Sequence, residues 1–143
     1  MIAVVPFSNI HDDPLQHSMA EGLCWQITTR AMKLPNFFVI AYSTMRGLFE
    51  KDTNLVSIAS MVGASFILTG YVQSVENQAR IYIQLTDMHT NQQVWGKMYE
   101  REFNAENMFR LQDEIAKLVM SEIKGLEQLR AHRSAVASSM TIV

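Results

Sequence analysis

Cysteine, proline and glycine are scarce in this sequence, which has one cysteine, three prolines and six glycines in 143 residues. A single cysteine, Cys24, excludes a disulfide within the chain and a metal site built from several cysteine ligands. The glycines are too widely spaced to form a phosphate-binding loop or a dinucleotide-binding fingerprint. Apolar runs are shorter than a transmembrane helix requires, and the first residues lack the basic segment of a signal peptide.

A large excess of either charge is also missing, because the chain has 12 Lys and Arg and 14 Asp and Glu, which gives a net charge of −2. This balance gives no electrostatic basis for binding nucleic acid or an anionic membrane surface. We therefore expect no direct nucleic-acid contact and no membrane contact by this segment. Apolar residues make up 48% of the chain and charged residues 18%, which is typical of a folded domain with a core.

Hydrophobic periodicity predicts the element order β-α-β-α-β-β-β-α. Short apolar runs predict buried strands, and apolar residues at three- and four-residue spacing predict helices. The predicted strands are Ile2–Phe7, Phe37–Tyr42, Phe66–Val75, a strand alternating over residues 79–86, and Gln93–Phe103; the predicted helices are Leu15–Lys33, Leu55–Val62 and a long final helix after Asn104. Ser43 and Thr44 could cap a short helical turn, Asn104 the final helix, and Gly63 would end the helix before it.

The fold class that follows is α/β, in one domain with helices packed on a mixed sheet. Strands joined through helices are expected to be parallel with right-handed crossovers, and the last strands form an antiparallel meander. We assign residues 1–125 to the domain. Residues 126–143 are interpreted as a helix end, a linker or a tail, since periodicity is lost from Ala131 to Val143. The strand at the very beginning suggests that the chain was cut from a longer protein.

A ligand-binding cleft is predicted at the carboxyl ends of the parallel strands, where loops from separate strands meet. Its lining would come from two loops: Ser8, Asn9, His11, Asp12 and Asp13 in the first, and Ser43, Thr44 and Arg46 in the second. No catalytic residue, metal or cofactor is assigned.

Two enzymatic alternatives use the same edge of the sheet. If His11, Asp12, Asp13 and Ser43 met there, they could form a metal-dependent or a serine hydrolase site. His17 could also join a metal cluster. The simpler interpretation is an acidic loop in which Asp12 and Asp13 complement the positive end of a helix. No G-x-S-x-G nucleophile elbow is present.

Other reactive side chains are interpreted as structural. Cys24 lies on an apolar helix stripe, where a free cysteine behaves as a small hydrophobe. Three carboxylates of the last helix, Glu106, Asp113 and Glu114, fit a solvated face better than acid–base chemistry. Tyr82, Trp95 and Tyr99 could stack a ligand, but aromatic residues in a meander more often form cross-strand pairs.

Several motifs resemble the TolB amino-terminal-like domain family, in the same order along nearly the whole chain. The opening strand Ile2–Phe7 is followed by Asp13-Pro14 and by Ala20-Glu-Gly-Leu23. The later matches are Gly63–Val72 with G-A-x-Y-V-L-E-G-S-V, Arg80–Asp87 with R-V-R-V-x-A-Q-L-I-D, Val94–Arg101 with L-W-A-E-R-Y-D-R, and Met108–Ala116 with I-F-A-L-Q-D-E-I-A. Asn91-Gln92 departs from the family's T-G turn, residues 76–78 lack its glycine, and Glu21 replaces an aspartate.

The resemblance implies a non-catalytic sensory or interaction domain of a larger bacterial signalling protein, typically an adenylate cyclase. Its partners would be neighbouring domains: a class III cyclase or winged-helix output module and tetratricopeptide repeats, with a small ligand or a second copy as further partners. It implies no catalytic residues and no cofactor. The compartment would be cytoplasmic or periplasmic, depending on any membrane span before the domain. The alternatives are the small hydrolase and a dimerisation scaffold that uses apolar surface on the long helix.

Overall fold

The computed structural model describes residues 1–9, 13–34 and 38–140, with the side chains of Asn9 and of residues 127–140 left aside. These residues form a single mixed sheet with helices on both of its faces. The strands are β1 (Ile2–Val4), β2 (Ser8–Asn9), β3 (Phe66–Val75), β4 (Gln78–Asp87) and β5 (Gln92–Glu102), and the helices are α1 (Pro14–Ala31), α2 (Tyr42–Lys51), α3 (Leu55–Val62) and α4 (Met108–Met140).

The strand order is β1-β3-β4-β5, and β2 also pairs with β3. β1 and β2 run parallel to β3, whereas β3, β4 and β5 form antiparallel pairs. The parallel strands at one edge are connected through helices, whereas β3, β4 and β5 are connected by two tight turns. This arrangement confirms the predicted α/β class, with its parallel first strands and antiparallel meander.

The predicted strand Phe37–Tyr42 is reduced to one parallel bridge, between Ile2 and Val39, in the part of that segment that is described. Tyr42 already begins α2, and its ring packs edge-on against Trp25 at 5.1 Å between centroids. A short apolar run cannot by itself separate a strand from a buried helix start. The first strand is also shorter than predicted: β1 ends at Val4, before Pro6, which lacks the N–H that a strand would use.

One face of the sheet carries the larger core, under α1 and α4. Alternate residues of β1, β3 and β4 point into it, and the predicted alternation along β4 is reproduced, because Ala79, Ile81, Ile83 and Leu85 are all buried. The helix stripes supply the rest: Met19, Leu23, Cys24 and Ile27 from α1, and Leu111, Ile115, Val119 and Ile123 from α4.

The opposite face carries a smaller core under α2 and α3. It contains Ala3 from β1, Val5 directly after it, Ile67 from the start of β3, and Met45 and Ile58 from the helices. This core therefore covers only the parallel edge of the sheet. The antiparallel part of the same face stays outside it.

The pair formed by α1 and α4 is fixed by a glutamine seated against a glycine. Gln112 is buried and donates through Nε2 to the carbonyl oxygens of Ser18 at 3.2 Å and Met19 at 3.4 Å. A side chain at Gly22 would collide with this amide, because a Cβ there would lie 2.7 Å from Cδ of Gln112. The two neighbours of Gln112 anchor further elements: Asp113 pairs with Arg30 of α1 at 3.2 Å, and Glu114 with Arg101 of β5 at 2.8 Å.

Helix ends follow the predicted signals at two places and not at a third. Gly63 ends α3 in the left-handed conformation at φ 70°, and Asn104 Oδ1 accepts from the backbone N–H groups of Glu106 and Asn107 just before α4. Ser43, by contrast, lies inside the first turn of α2, whose N-cap is Ala41 and has no side-chain cap bond. The prediction that Ser43 or Thr44 caps this helix is therefore wrong.

Helix α4 continues to Met140, and Leu126 still packs against the larger core. The predicted division at residue 125 is thus not marked by a helix end and stays a prediction. In the described parts of the chain, every helix is too short or too polar to cross a membrane.

Both hairpin turns use a residue other than glycine in the left-handed region. Glu76 has φ 55° and Asn91 has φ 56°. These are the turns where the sequence departs from the glycines of the TolB-like pattern. The left-handed conformation costs an L-residue about 1–2 kcal/mol, although asparagine tolerates it better than glutamate.

Replacing Gly22 with Ala is expected to lower the free energy of unfolding by about 1–3 kcal/mol, because the new methyl group displaces the buried Gln112 amide. In a Gln112→Ala background the same change should raise it, since alanine is the better helix former. Urea denaturation of the double-mutant cycle measures this coupling. Gly47→Ala is the matched control, because a Cβ at Gly47 meets nothing within 4 Å. Additive effects of the two substitutions would contradict the seating of Gln112 on Gly22.

Replacing Glu76 with Gly is expected to raise the free energy of unfolding by about 0.5–1 kcal/mol, since the relief of left-handed strain exceeds the entropy cost of glycine. Asn91→Gly should change it much less, because asparagine already adopts this conformation readily. Thermal and urea unfolding of both variants, side by side, give the comparison. A loss of stability in Glu76→Gly would mean that the Glu76 side chain stabilises the turn.

Candidate functional site

The first loop of the predicted cleft is only partly described. Ser8 lies in β2, directly opposite Tyr71 of β3, and its side chain is exposed. Asp13 is the N-cap of α1, where Oδ1 accepts from the N–H of Leu15 at 3.0 Å. Of Asn9 only the backbone is described, and His11 and Asp12 lie outside the described residues.

The second loop of the predicted cleft forms the start of α2. Ser43, Thr44 and Arg46 are exposed, and Arg46 pairs with Glu21 of α1 at 2.9 Å and with Glu50 at 3.9 Å. Glu21 follows Asp13 by eight residues, about 12 Å along the helix. The ion pair of Arg46 therefore ties α2 to the middle of α1, beyond the Asp13 cap.

The metal and hydrolase alternatives depend on residues that are largely undescribed. Among residues 1–9, 13–34 and 38–140, no group of three histidine, cysteine or acidic side chains could hold a metal ion. Since His11 and Asp12 are not among them, a site built on these two residues stays untested.

Cys24 is a core residue, as the sequence indicates. Its sulfur accepts from the N–H of Phe7 at 3.4 Å and lies 3.9 Å from the carbonyl oxygen of Val5. Burial raises the pKa of the thiol from 9.0 to about 12, which keeps it protonated at neutral pH. A thiol in this state is a poor nucleophile.

A seam of ion pairs joins β5 to α4 on the helix-covered face. Glu122 accepts from Trp95 Nε1 at 2.7 Å and from Lys97 Nζ at 3.1 Å. Between the two cations lies the buried ring of Tyr99, with Lys97 and Arg101 within 6 Å of its centroid. Trp95 and Tyr99 are thus used in packing and are turned away from any platform shared with Tyr82.

The hydroxyl of Tyr99 is buried and has no hydrogen-bond partner. Burial, and to a lesser extent the nearby Glu122, raise the pKa of this group to about 12, and Arg101 opposes the shift. The ring is therefore held neutral between charged neighbours at ordinary pH.

The uncovered part of the sheet is the most distinctive surface. We call it the open face and define it by residues on one side of β3, β4 and β5: Thr69, Tyr71, Gln73, Tyr82, Gln84, Gln93 and Met98. At its centre the rings of Tyr71 and Tyr82 pack with centroids 5.6 Å apart and planes 30° from parallel. The hydroxyl of Tyr82 lies 3.2 Å from Oε1 of Gln84 and 3.4 Å from Oε1 of Gln93.

Gly96 makes room for this arrangement. A Cβ at that position would lie 3.0 Å from the Tyr82 hydroxyl and would collide with the amide of Gln93. At the rim of the open face, Arg80 pairs with Glu100 at 3.1 Å. The centre of the surface is therefore aromatic and amide in character, without an acid or base placed for catalysis. The alternation along β4 predicted from sequence that one side of this strand, which carries Tyr82, is more exposed to solvent. It could not predict that Tyr82 lies opposite Tyr71, because that depends on the register between β3 and β4.

A depression lies between β5 and the start of α4. It has a volume of about 170 Å³ and is lined by Arg101, Glu102, Asn107, Arg110, Leu111 and Glu114. Pockets that enclose small molecules usually measure about 300–1,000 Å³. Two of its charged groups, Arg101 and Glu114, are already paired with each other. The depression is therefore a poor candidate for a small-molecule site.

Comparison with known proteins gives one clear match in sequence. No protein-family model matches the chain. A protein of Rhizobium meliloti (strain 1021), described as "Putative adenylate cyclase 3", is 30% identical over 140 residues. The matched region is 94% of this chain and 24% of that protein, so the chain spans about a quarter of the curated relative's length.

Solved structures of low sequence identity share the fold. Lipoprotein GNA1162 from Neisseria meningitidis has a TM-score of 0.61 at 15% identity, over 85% of this chain and 94% of that chain. TolB from Acinetobacter baumannii has a TM-score of 0.53 at 15% identity, over 87% of this chain and 28% of that chain. The TolB-like link that the motifs suggest is thereby supported at the level of the fold.

The free energy of unfolding is expected to fall as the pH rises above about 9. Cys24 ionises at 9.0 in the unfolded chain and near 12 when folded, so alkaline pH favours the unfolded state. Each such group contributes about 1.4 kcal/mol per pH unit. Urea denaturation between about pH 8 and about pH 11 measures the slope.

Two variants separate the contributions to this slope. Cys24→Ala should remove the part that begins near 9.0, and Tyr99→Phe should remove one share of the part that begins near 10.0. Tyr42 contributes the other share, because burial raises its pKa as well. Tyr99→Phe should also keep or raise the stability at neutral pH, because the hydroxyl that it deletes is buried without a partner. An unchanged alkaline slope in Cys24→Ala would contradict the burial of the thiol.

Proposed function

We propose that this chain is a non-catalytic interaction domain of a larger bacterial signalling protein and that it regulates the output module of that protein. We further propose that this larger protein is an adenylate cyclase. The alignment with the Rhizobium meliloti protein carries the proposal, because it covers 94% of this chain but only a quarter of that protein. A cyclase active site would then lie in the remaining length. The motifs that resemble the TolB-like family support the same arrangement, with tetratricopeptide repeats as neighbouring domains.

The character of the polar side chains supports a role in binding. The conspicuous carboxylates of α4 are engaged in ion pairs: Asp113 with Arg30, Glu114 with Arg101 and Glu122 with Lys97. Cys24 is protonated and buried. These groups stabilise the fold. Glu114 does line the small depression between β5 and α4, but its carboxylate is paired there with Arg101.

The open face is the surface that we assign to the regulatory contact. It presents two stacked tyrosines and several uncharged amides on a rigid sheet, and tyrosine is among the residues that dominate binding energy at protein interfaces. A contact there regulates an output module only if its free energy differs between the active and inactive arrangements.

Cyclase assays of the full-length protein that contains this domain test the proposal. Tyr71→Ala and Tyr82→Ala are expected to change the rate of cyclic AMP formation several-fold, whereas the isolated chain should form none. Phe109→Ala is the matched control, because this aromatic residue is 77% exposed on α4, away from the open face. Equal rates in all three variants and the parent would overturn the role of the open face, and cyclic AMP formation by the isolated chain would overturn the non-catalytic role.

A small-ligand cleft at the carboxyl edge of the sheet is a second proposal. The exposed hydroxyls of Ser8, Ser43 and Thr44 support it, together with the guanidinium of Arg46. Asn9, His11, Asp12 and Asp13 complete the proposed lining. Thermal-shift measurements with nucleotides, sugars and divalent metal ions test it, with Ser43→Ala and Thr44→Ala as the variants that should lose any shift. If no probe moves the melting temperature, the cleft is not a ligand site.

A further inference from the structure

Strand β5 forms a long edge of the sheet. It pairs with β4 on one side, and no described strand pairs with its other side. The register shifts between Leu85 and Thr86, whose partners are Trp95 and Gln93, so Val94 is left in a bulge. After this bulge the strand runs regularly through eight residues, Trp95–Glu102. Such an edge presents unpaired backbone N–H and C=O groups that can extend the sheet by another strand.

Charged side chains usually protect an edge from pairing with another chain. On β5 three of the four charges, all except Glu102 at its end, are neutralised by ion pairs within the chain. Lys97 pairs with Glu122, Arg101 with Glu114 and Glu100 with Arg80, all at 3.1 Å or less. The centre of the edge is Met98, which is 42% exposed. The charged residues of β5 therefore oppose pairing with another strand less than their number suggests.

The side chains on β5 favour one symmetric register for a second copy. In an antiparallel pair related by a two-fold axis, opposite residues lie on the same face. A pair centred on Lys97 places two lysines together, one centred on Tyr99 opposes Lys97 to Arg101, and one centred on Glu100 opposes two glutamates. These three registers all carry like charges directly opposite each other, which is destabilising. A pair centred on Gly96 would bring the bulged Val94 into the ladder, opposite Met98, and so lacks regular pairing.

The register centred on Met98 has the opposite property. It pairs Lys97 with Tyr99 and Trp95 with Arg101, each twice because of the symmetry. Each of these pairs sets a cation against an aromatic ring, as Lys97 and Arg101 already do with Tyr99 inside the chain. Gly96 then faces Glu100 without steric conflict.

We propose that two copies of this chain associate through β5, antiparallel and centred on Met98, to form one continuous sheet. The helix-covered faces lie on the same side of this sheet, and so do the two open faces. The association uses the strand edge and not the rings of Tyr71 and Tyr82, although Met98 belongs to both surfaces.

A disulfide at the two-fold axis tests the register. Opposite residues of antiparallel strands have Cα atoms about 4.5–5.5 Å apart, within the range that a disulfide spans. The natural Cys24 is buried, so Met98→Cys adds the one accessible thiol among the described residues. Mild oxidation of the full chain should link two Met98→Cys copies rapidly. Glu100→Cys is the control, because two Glu100 positions would lie about 13 Å apart along the strands.

Charged substitutions of Met98 test the association without a covalent bond. Sedimentation equilibrium of the natural chain should show the mass rising with concentration from 16.3 kDa towards twice that value. Met98→Asp and Met98→Lys should each stay monomeric, since each opposes two like charges, and their mixture should recover the dimer. Circular dichroism confirms that both variants are folded.

Three results would overturn the proposal. The first is a natural chain that keeps the monomer mass at every concentration. The second is a dimer that persists in Met98→Asp, which would place the contact elsewhere. The third is oxidative linkage of Glu100→Cys as fast as that of Met98→Cys, which would exclude this register.

Discussion

The packing of α1 against α4 across one face of the sheet is the constraint on which the other features depend. It buries alternate residues of the central strands together with the apolar stripes of both helices. The helices approach closely because Gly22 has no side chain and the Gln112 amide fills the space, bonded to backbone carbonyls of α1. A buried amide is stable only when it is hydrogen-bonded, so this contact fixes the relative position of the helices as well as their proximity.

The three consecutive polar residues of α4 extend this constraint in three directions. Gln112 donates a hydrogen bond to the backbone of α1. Asp113 forms an ion pair with Arg30 in the last turn of α1, and Glu114 forms one with Arg101 of β5. The exposed ion pairs are individually weak, but together they orient α4 over both the helix and the edge strand. One short motif thereby connects the first helix, the last helix and the last strand.

Unequal coverage of the two faces decides where partners can bind. The larger core uses one face completely, and the smaller core closes the other face only at its parallel edge, because α2 and α3 are short. The antiparallel part is left with aromatic and amide side chains on its surface and with an edge strand at its side. Both proposed contacts follow from this asymmetry: the open face for a regulatory partner and β5 for a second copy.

Local patterns in the sequence determined the α/β class, the meander, the stop at Gly63 and the cap at Asn104, because each depends on residues close in the chain. The buried position of Cys24 also followed from the helix stripe. Tertiary structure decided the rest. Whether Phe37–Tyr42 pairs as a strand depends on residues that are distant in sequence. In the structure Tyr42 is the first residue of α2, and its ring packs against Trp25 of α1. Arg46 is drawn to Glu21, the stacking of Tyr71 on Tyr82 needs the register of β3 and β4, and the seat of Gln112 joins residues 90 positions apart in sequence, since Gly22 and Gln112 meet only when both helices lie on the sheet.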